Sequence, residues 1–336
     1  MAPVNGRDRG QLMLIGALAL AISLVVLALI LNSGIYAHNL ASRVDTDEED
    51  AAGFETEMRA AVGGLVEHTV REDANDTGAQ RNALDPGASN GPGVDGIERR
   101  LVPYRASEST VVEASFEGVT NGTVIRQDTD RNFTDRSGSP SDWTVVSDTE
   151  GVRAFELDVV RSRLNASTIG SLSGDAFEIE LTNGSETWTV YVYRNGGSTA
   201  VVTKNASTAT VYGPCTDDTG NRTAIDLTAG TVGGEYCRAL RFFGPLPGSV
   251  DATEQLTVTY RNLGGSLSSS ASINGTYRLV VEKSFADVAD SRYADYGSGT
   301  DPYVAEAVYS AEVAIHYRGS ELTYESTITV APGEPS

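Results

Sequence analysis

Lysine is nearly absent from this chain: Lys204 and Lys283 are the two among 25 basic residues, against 46 Asp and Glu and a net charge of −21. Without clustered lysine and arginine there is no footprint for a phosphate backbone, which excludes nucleic acid as a partner. Histidine stops at three, and His38, His68 and His316 share no motif. Nothing therefore supplies a base beside a nucleophile, as a hydrolase triad requires. Cysteine stops at two, Cys215 and Cys237, too few for a thiolate zinc site or a disulfide framework. G-x-S-x-G, H-E-x-x-H and the phosphate loop are missing as well. The sequence singles out no catalytic, cofactor-binding or metal residue, and the expectation is a protein that is not an enzyme. A glycosidase can work with two carboxylates alone. Among 46 acids no pair stands out, and a cell-surface hydrolase is kept as the remote alternative.

Two acidic stretches invite an ion. Asp128-Thr129-Asp130-Arg131-Asn132 opens like a calcium loop, but no glycine follows, the distal glutamate is missing and Arg131 puts a cation inside it. It reads as a polar turn. The run Asp45 to Asp50 reads as a solvated helix start.

What the chain does have is one long apolar run. Leu12 to Leu31 contains no charge, and at 1.5 Å per residue it makes a rod of roughly 30 Å, the thickness of a bilayer's hydrocarbon core. A cleaved secretory signal is shorter and ends in a better small-x-small site than Asn32 to Ala37 offers. Arg7 and Arg9 precede the run and Asp45 to Asp50 follow it, so the positive side is the N-terminus. The expected topology is single-pass in the cell membrane, with a cytoplasmic N-terminus and an extracellular C-terminal domain.

Two features agree with an exterior location. Chance gives roughly three Asn-x-Ser/Thr motifs in a chain of this composition. There are eight, at Asn75, Asn121, Asn132, Asn165, Asn183, Asn205, Asn221 and Asn274, all after the apolar run. They read as glycosylation acceptors, or as the turn asparagines of a Thr-rich β protein. Cys215 and Cys237 stand 22 apart and read as a disulfide kept by an oxidising exterior, or as two unrelated thiols.

Phe54, Met58, Ala61, Leu65 and Thr69 recur at helical spacing, which predicts a helical stalk over 39–72 standing on the span. Residues 73–96, dense in Gly, Pro, Asn and Asp, read as a linker. A short helix over 97–106 precedes the strands. From Val111 onward period two takes over. Phe177, Ile179 and Leu181 alternate with polar residues, Asn183-Gly184 makes a hairpin turn, and Trp188, Val190 and Val192 follow. Leu256, Val258 and Tyr260 repeat the pattern, as do Tyr277, Leu279 and Val281, and Tyr309 to Tyr317 turn at Gly319-Ser320 into Leu322 to Val330. The fold class expected is α+β: a long N-terminal membrane and stalk helix, then an antiparallel β-sandwich-like or rolled-sheet head over 97–332. Because outward strand positions carry Glu, Thr and Arg, the apolar surface that could build an assembly is expected on span and stalk.

The stretch RDRGQLMLIGALALAISLVVLALILNSGIYAHNLASR resembles the start of archaeal type IV pilin-like proteins with a class III leader. The resemblance implies a leader over 1–10, cleavage at the Gly10–Gln11 bond, and a helix over 11–38 that stays on the mature chain. Pilins of this kind commonly carry a glutamate at the fifth mature residue, where it pairs with a neighbour's terminal amine. Ile15 stands there instead, which turns the implication towards a minor or accessory subunit. The acidic, lysine-poor composition is similar to that of extremely halophilic archaea, whose proteins stay soluble in molar salt through negative charge. Together these imply a membrane-anchored extracellular protein, minor pilin-like or an adhesion and assembly component. The alternative is a lone anchored glycoprotein with a ligand-binding β domain. The partners implied are the lipid bilayer and then other pilin-like subunits or cell-surface glycans, with no cofactor.

Overall fold

β-Branched and aromatic residues at alternate positions fit a pleated surface buried on one side, and from Val111 the chain folds into two sheets. The computed structural model describes residues 48–334 apart from 86, 88–92, 108–109, 173, 175, 185, 244–254, 264–272 and 321. The apolar run, the Gly10–Gln11 bond and His38 lie outside the described residues. Among the described residues no helix is long and apolar enough to cross a membrane.

The larger sheet has nine strands, in the order β10 (Glu235–Tyr236), β9 (Thr231–Val232), β8 (Arg222–Asp226), β3 (Val152–Val160), β12 (Asn274–Val281), β1 (Val111–Asn132), β14 (Tyr303–Arg318) and β13 (Ala294–Asp295), with β15 (Thr323–Val330) also paired to β14. The smaller has six: β2 (Trp143–Thr149), β11 (Leu256–Arg261), β4 (Phe177–Asn183), β5 (Glu186–Asn195), β6 (Ser198–Asn205) and β7 (Val211–Asp217). Pairing is antiparallel except between β13 and β14. The head is thus β-rich and sandwich-like, as the alternation predicts.

The two sheets face each other across an aromatic core. Phe133 lies 5.2 Å from Tyr277 and 5.7 Å from Phe177, and Tyr260 lies 5.5 Å from Tyr277, so the cluster bridges both sheets. Trp188, Val190, Leu181 and Val258 fill the rest of this layer.

The larger sheet's other face is covered by helix. α1 (48–72) lays Phe54, Met58, Val62, Val66 and Val70 onto Ala311, Val313, Ile315, Tyr317, Ile328 and Val330. Here the structure departs from a free stalk. A stripe of five large residues at a spacing of four cannot stay wet, and the inward-turned residues of β14 and β15 give it a partner. The apolar surface expected to serve assembly is, over 48–72, spent on the molecule's own sheet.

Residues 73–96 depart from a linker too. They carry α2 (Thr77–Leu84), capped by Asp76, whose Oδ1 accepts from Ala79 N at 2.8 Å. α3 (Val94–Ser107) starts within the same stretch. The reason lies on β14. Its outer edge pairs with β13 at Tyr303–Val304 and with β15 from Ala311, leaving a gap between. Asn75 and Gln80 close it: Glu306 N donates to Asn75 Oδ1 (3.1 Å), Val308 N donates to Gln80 Oε1 (2.7 Å), and Gln80 Nε2 donates to the carbonyls of Asp73 (2.9 Å) and Glu306 (3.3 Å). A buried unpaired backbone group is costly, so two polar side chains do the work of a missing strand.

Candidate functional site

Arg153 is the most deeply buried cation among the described residues, with no exposed side-chain surface. It sits at an irregularity of β3, where Ala154 takes a φ of +51° and the register to β12 shifts between Arg278 and Val280. The extra residue turns the arginine inward, between sheet and α1. Its Nη1 pairs with Glu67 of α1 and reaches Pro332 O at 3.2 Å, its Nη2 donates to Val308 O at 2.9 Å, and the guanidinium lies 5.8 Å from the centre of the Tyr309 ring. Glu67 takes a second arginine on its other oxygen, Arg278 Nη2 at 3.0 Å. Burial pushes the Glu67 carboxyl up, and the two arginines more than cancel it, holding it below the usual carboxylate range. The helix, β3, β14 and the C-terminal tail are all fastened at this one cation.

Beside this clasp a groove of about 450 Å³ opens on the larger sheet where α1 ends. It continues over β3 and β8 into a second hollow of about 420 Å³ that shares Arg126, Glu156, Asp226 and Arg278 with it. Register explains the lining. Tyr303 pairs with Arg126, Arg126 with Arg278, Arg278 with Glu156, Glu156 with Asp226 and Asp226 with Thr231, so one transverse row crosses six strands. Arg126 is held by Asp128, Nε to Oδ1 at 3.0 Å, and Asp128 accepts from the Tyr303 hydroxyl at 2.6 Å. Asp226 caps its own turn, accepting from Thr228 N and Ala229 N. Glu156 accepts no hydrogen bond from a described residue; the groove walls push its carboxyl up, Arg278 opposes this and Asp226 adds to it.

The structure brings Cys215 and Cys237 together as a disulfide with Cα atoms 5.8 Å apart. Cys215 lies on β7, the edge of the smaller sheet, and Cys237 follows β10, the edge of the larger, so the bond ties the two sheets along one side. The asparagines divide. Asn75, Asn121, Asn132 and Asn221 are exposed, and Asn165 and Asn274 are half-buried. Asn183 and Asn205 are buried, Asn205 completely. Asn205 Oδ1 accepts from Thr208 N at 2.9 Å, and its Nδ2 lies 3.5 Å from Glu186 Oε2.

Asp128 to Asn132 is the end of β1 rather than a turn. Its acids are engaged: Asp130 takes Arg222 through both oxygens at 2.7 Å, and Thr129 N donates to Asp301 at 3.0 Å. His68 is exposed on α1, and His316 faces Glu325 at 3.3 Å on the solvated face of β14. No two of the described histidines meet. Sequence reasoning missed Arg153, Glu67 and the Arg126–Arg278 row. A bulge hides the first from any period-two pattern, and the others occupy polar phases that look solvated.

Residues 6–140 match DUF7261, a family of unknown function. The match ends shortly after β1 and leaves the remaining strands uncovered. No curated protein and no solved structure matches the chain.

Proposed function

We propose that this chain is a non-enzymatic, membrane-anchored protein of the cell surface of an extreme halophile, a minor pilin-like or adhesion and assembly component that holds its β head outward. The supporting observation is the molecule's polarity. α1 runs antiparallel to β14, with Phe54 6.4 Å from Tyr317 near its start and Asn75, just past its end, bonded to Glu306. Its first residues, which follow the apolar run, therefore mark one end. Four acceptor asparagines crowd the opposite end: Asn132 is the register partner of Asn274, Asn221 O accepts from Arg161 N at 2.8 Å beside the end of β3, and Asn165 O accepts from Arg194 N at 2.8 Å near the end of β5. A head anchored at α1 carries these four motifs at the end away from the bilayer, with the exposed Asn75 and Asn121 beside Glu306 and Val308 of β14, and the two buried asparagines are expected to carry none.

Mass spectrometry of the native protein tests this. The expected result is a mature N-terminus at Gln11, glycan on members of the Asn132, Asn165, Asn221 and Asn274 group, and bare Asn183 and Asn205. A start near His38 would remove the anchor, an intact Met1 would remove the pilin-like part, and four bare asparagines at the far end would remove the orientation. The groove favours a second reading, a lone anchored glycoprotein whose β domain binds an extracellular ligand.

A further inference from the structure

We infer that the groove along the Tyr303–Arg126–Arg278–Glu156–Asp226 row binds a neutral oligosaccharide; this rests on the ligand-binding reading and names the class of its ligand. Charge decides first. The hollow beside α1 is lined by three arginines (Arg71, Arg126, Arg278) and three carboxylates (Glu67, Glu156, Asp226), so it is balanced inside a chain of net charge −21, and the second hollow adds Asp128 and Asp158, which are paired with Arg126 and Arg222. An anion gains from the arginines what it loses to the acids beside them, and the whole surface repels it. A cation finds acid everywhere on this protein and nothing particular here. A neutral polyhydroxyl chain is different, because each hydroxyl both donates and accepts and can meet either partner.

Geometry agrees. Strands stand about 4.8 Å apart, so the row offers donors and then acceptors over roughly 20 Å, the length of a short oligosaccharide. The groups are held ready. Arg126 is fixed by Asp128 and Arg278 by Glu67, leaving their other N–H groups to a ligand, while Arg71 and Glu156 have no hydrogen-bond partner among the described residues. Hydrogen bonds between ionised side chains and neutral hydroxyls are among the stronger ones. The floor is apolar, with Val70, Val124 and Ala305, and Tyr303 stands at one wall with Tyr296 5.7 Å behind it. That suits the C–H faces of sugar rings. In molar salt the Debye length is about 3 Å, so ion pairing at a distance is lost and short directional hydrogen bonds remain.

The experiment uses the full chain in detergent and molar salt, titrated calorimetrically with tetramers of glucose, mannose and N-acetylglucosamine and with tetragalacturonate. The expected result is binding of at least one neutral tetramer, weakened about tenfold or more by Glu156→Gln and by Arg71→Ala, unchanged by Glu325→Gln at the far end of the sheet, and little affected by a twofold change in salt. Both groove variants alter groups without hydrogen bonds to the fold, so unchanged melting temperatures are expected to accompany the loss. Binding of tetragalacturonate alone, fading as salt rises, would overturn the inference in favour of an anion site. No binding of any neutral tetramer by a chain that melts normally would overturn it outright, and new reducing ends would replace it with an enzyme. Surface biotinylation of intact cells separates the two failures: a chain labelled at the surface that binds no sugar loses only the ligand class, whereas an unlabelled chain loses the anchored reading itself.

Discussion

The nine-stranded sheet buries residues on both faces, apart from the solvated side of β14 and β15 around His316 and Glu325, and the two burials differ in kind. Toward the smaller sheet it presents large side chains: Tyr277, with Phe155 and Leu157 on the neighbouring β3, packs with Phe133, Phe177 and Tyr260 in a dry layer. Toward α1 it presents Ala305, Ala307, Ala311, Val313 and Ile315, small enough for a helix to lie close, and among them a fully buried arginine. The first face is held by area removed from water, which any neighbour of the right shape could supply. The second is held partly by one cation that specific oxygens must satisfy. A sandwich face of this kind tolerates repacking, whereas the helix face depends on a few named partners.

The sharpest way to break this contrast is to remove α1 and α2. A chain beginning at Gly96 keeps most of α3 but exposes the aliphatic face that α1 covers, and we expect it to self-associate or fail to fold in molar salt, where exposed apolar area drives association. Sedimentation of a stable monomer would show that α1 and α2 are ornaments on a self-sufficient sandwich.

Point changes come next. Trp188→Ala on the sandwich face should cost about 3–5 kcal/mol and lower the midpoint of a single cooperative transition. Arg153→Ala should cost a similar 3–5 kcal/mol because it empties a fully buried site and leaves two carbonyls and one Glu67 oxygen without their donor, Arg278 keeping only the other. Its signature differs, with faster hydrogen exchange over 48–72 than in β4 and β5. Equal loss of protection everywhere after Arg153→Ala would erase the distinction between the faces.

Replacing both Cys215 and Cys237 by serine should cost about 3 kcal/mol by the chain-entropy account of a loop this long. The effect should be confined to the edge where the two sheets meet. Unchanged denaturant midpoints with and without reductant would contradict it.

The mildest probe is acid. Glu67 is held below its unfolded value, so it contributes stability that is fully present above the unfolded pKa of about 4.3 and is lost as pH falls through the lower folded value. Below about pH 4.5 the helix face should weaken first, and Glu67→Gln should flatten that part of the stability curve. A Glu67→Gln chain with the same acid profile as wild type would place the titrating group elsewhere.

The sandwich was legible in the sequence because alternation records burial on one side. Phe177, Ile179, Leu181, Trp188, Val190 and Val192 all point where period two puts them. The helix was legible in kind and largely in phase: Phe54, Met58 and Thr69 are buried and Leu65 packs against the same cluster, while Val62, Val66 and Val70 complete an inward stripe wider than the one expected. Its docking was not legible, because Tyr309 to Tyr317 look the same whether their partner is a sheet or a helix. The gap on β14 was hidden as well. Asn75 and Gln80 sit in a segment whose Gly, Pro and Asn content announces a loop, and their role arises from a strand more than two hundred residues away. The groove could not be read for the same reason, since its row takes one residue from each of six strands.

The antiparallel course of α1 along β14 also has a mechanical meaning. A pull on residue 48 away from the head loads the helix along its own axis, so Phe54 against Tyr317, Arg59 on Thr329 O, Glu67 on Arg153 and Asn75 on Glu306 bear the force together in shear. Peeled from one end, the same contacts would yield one at a time. Resistance to force is a matter of unfolding rate, and a tether joined to its load in this way slips only when the whole seam gives at once.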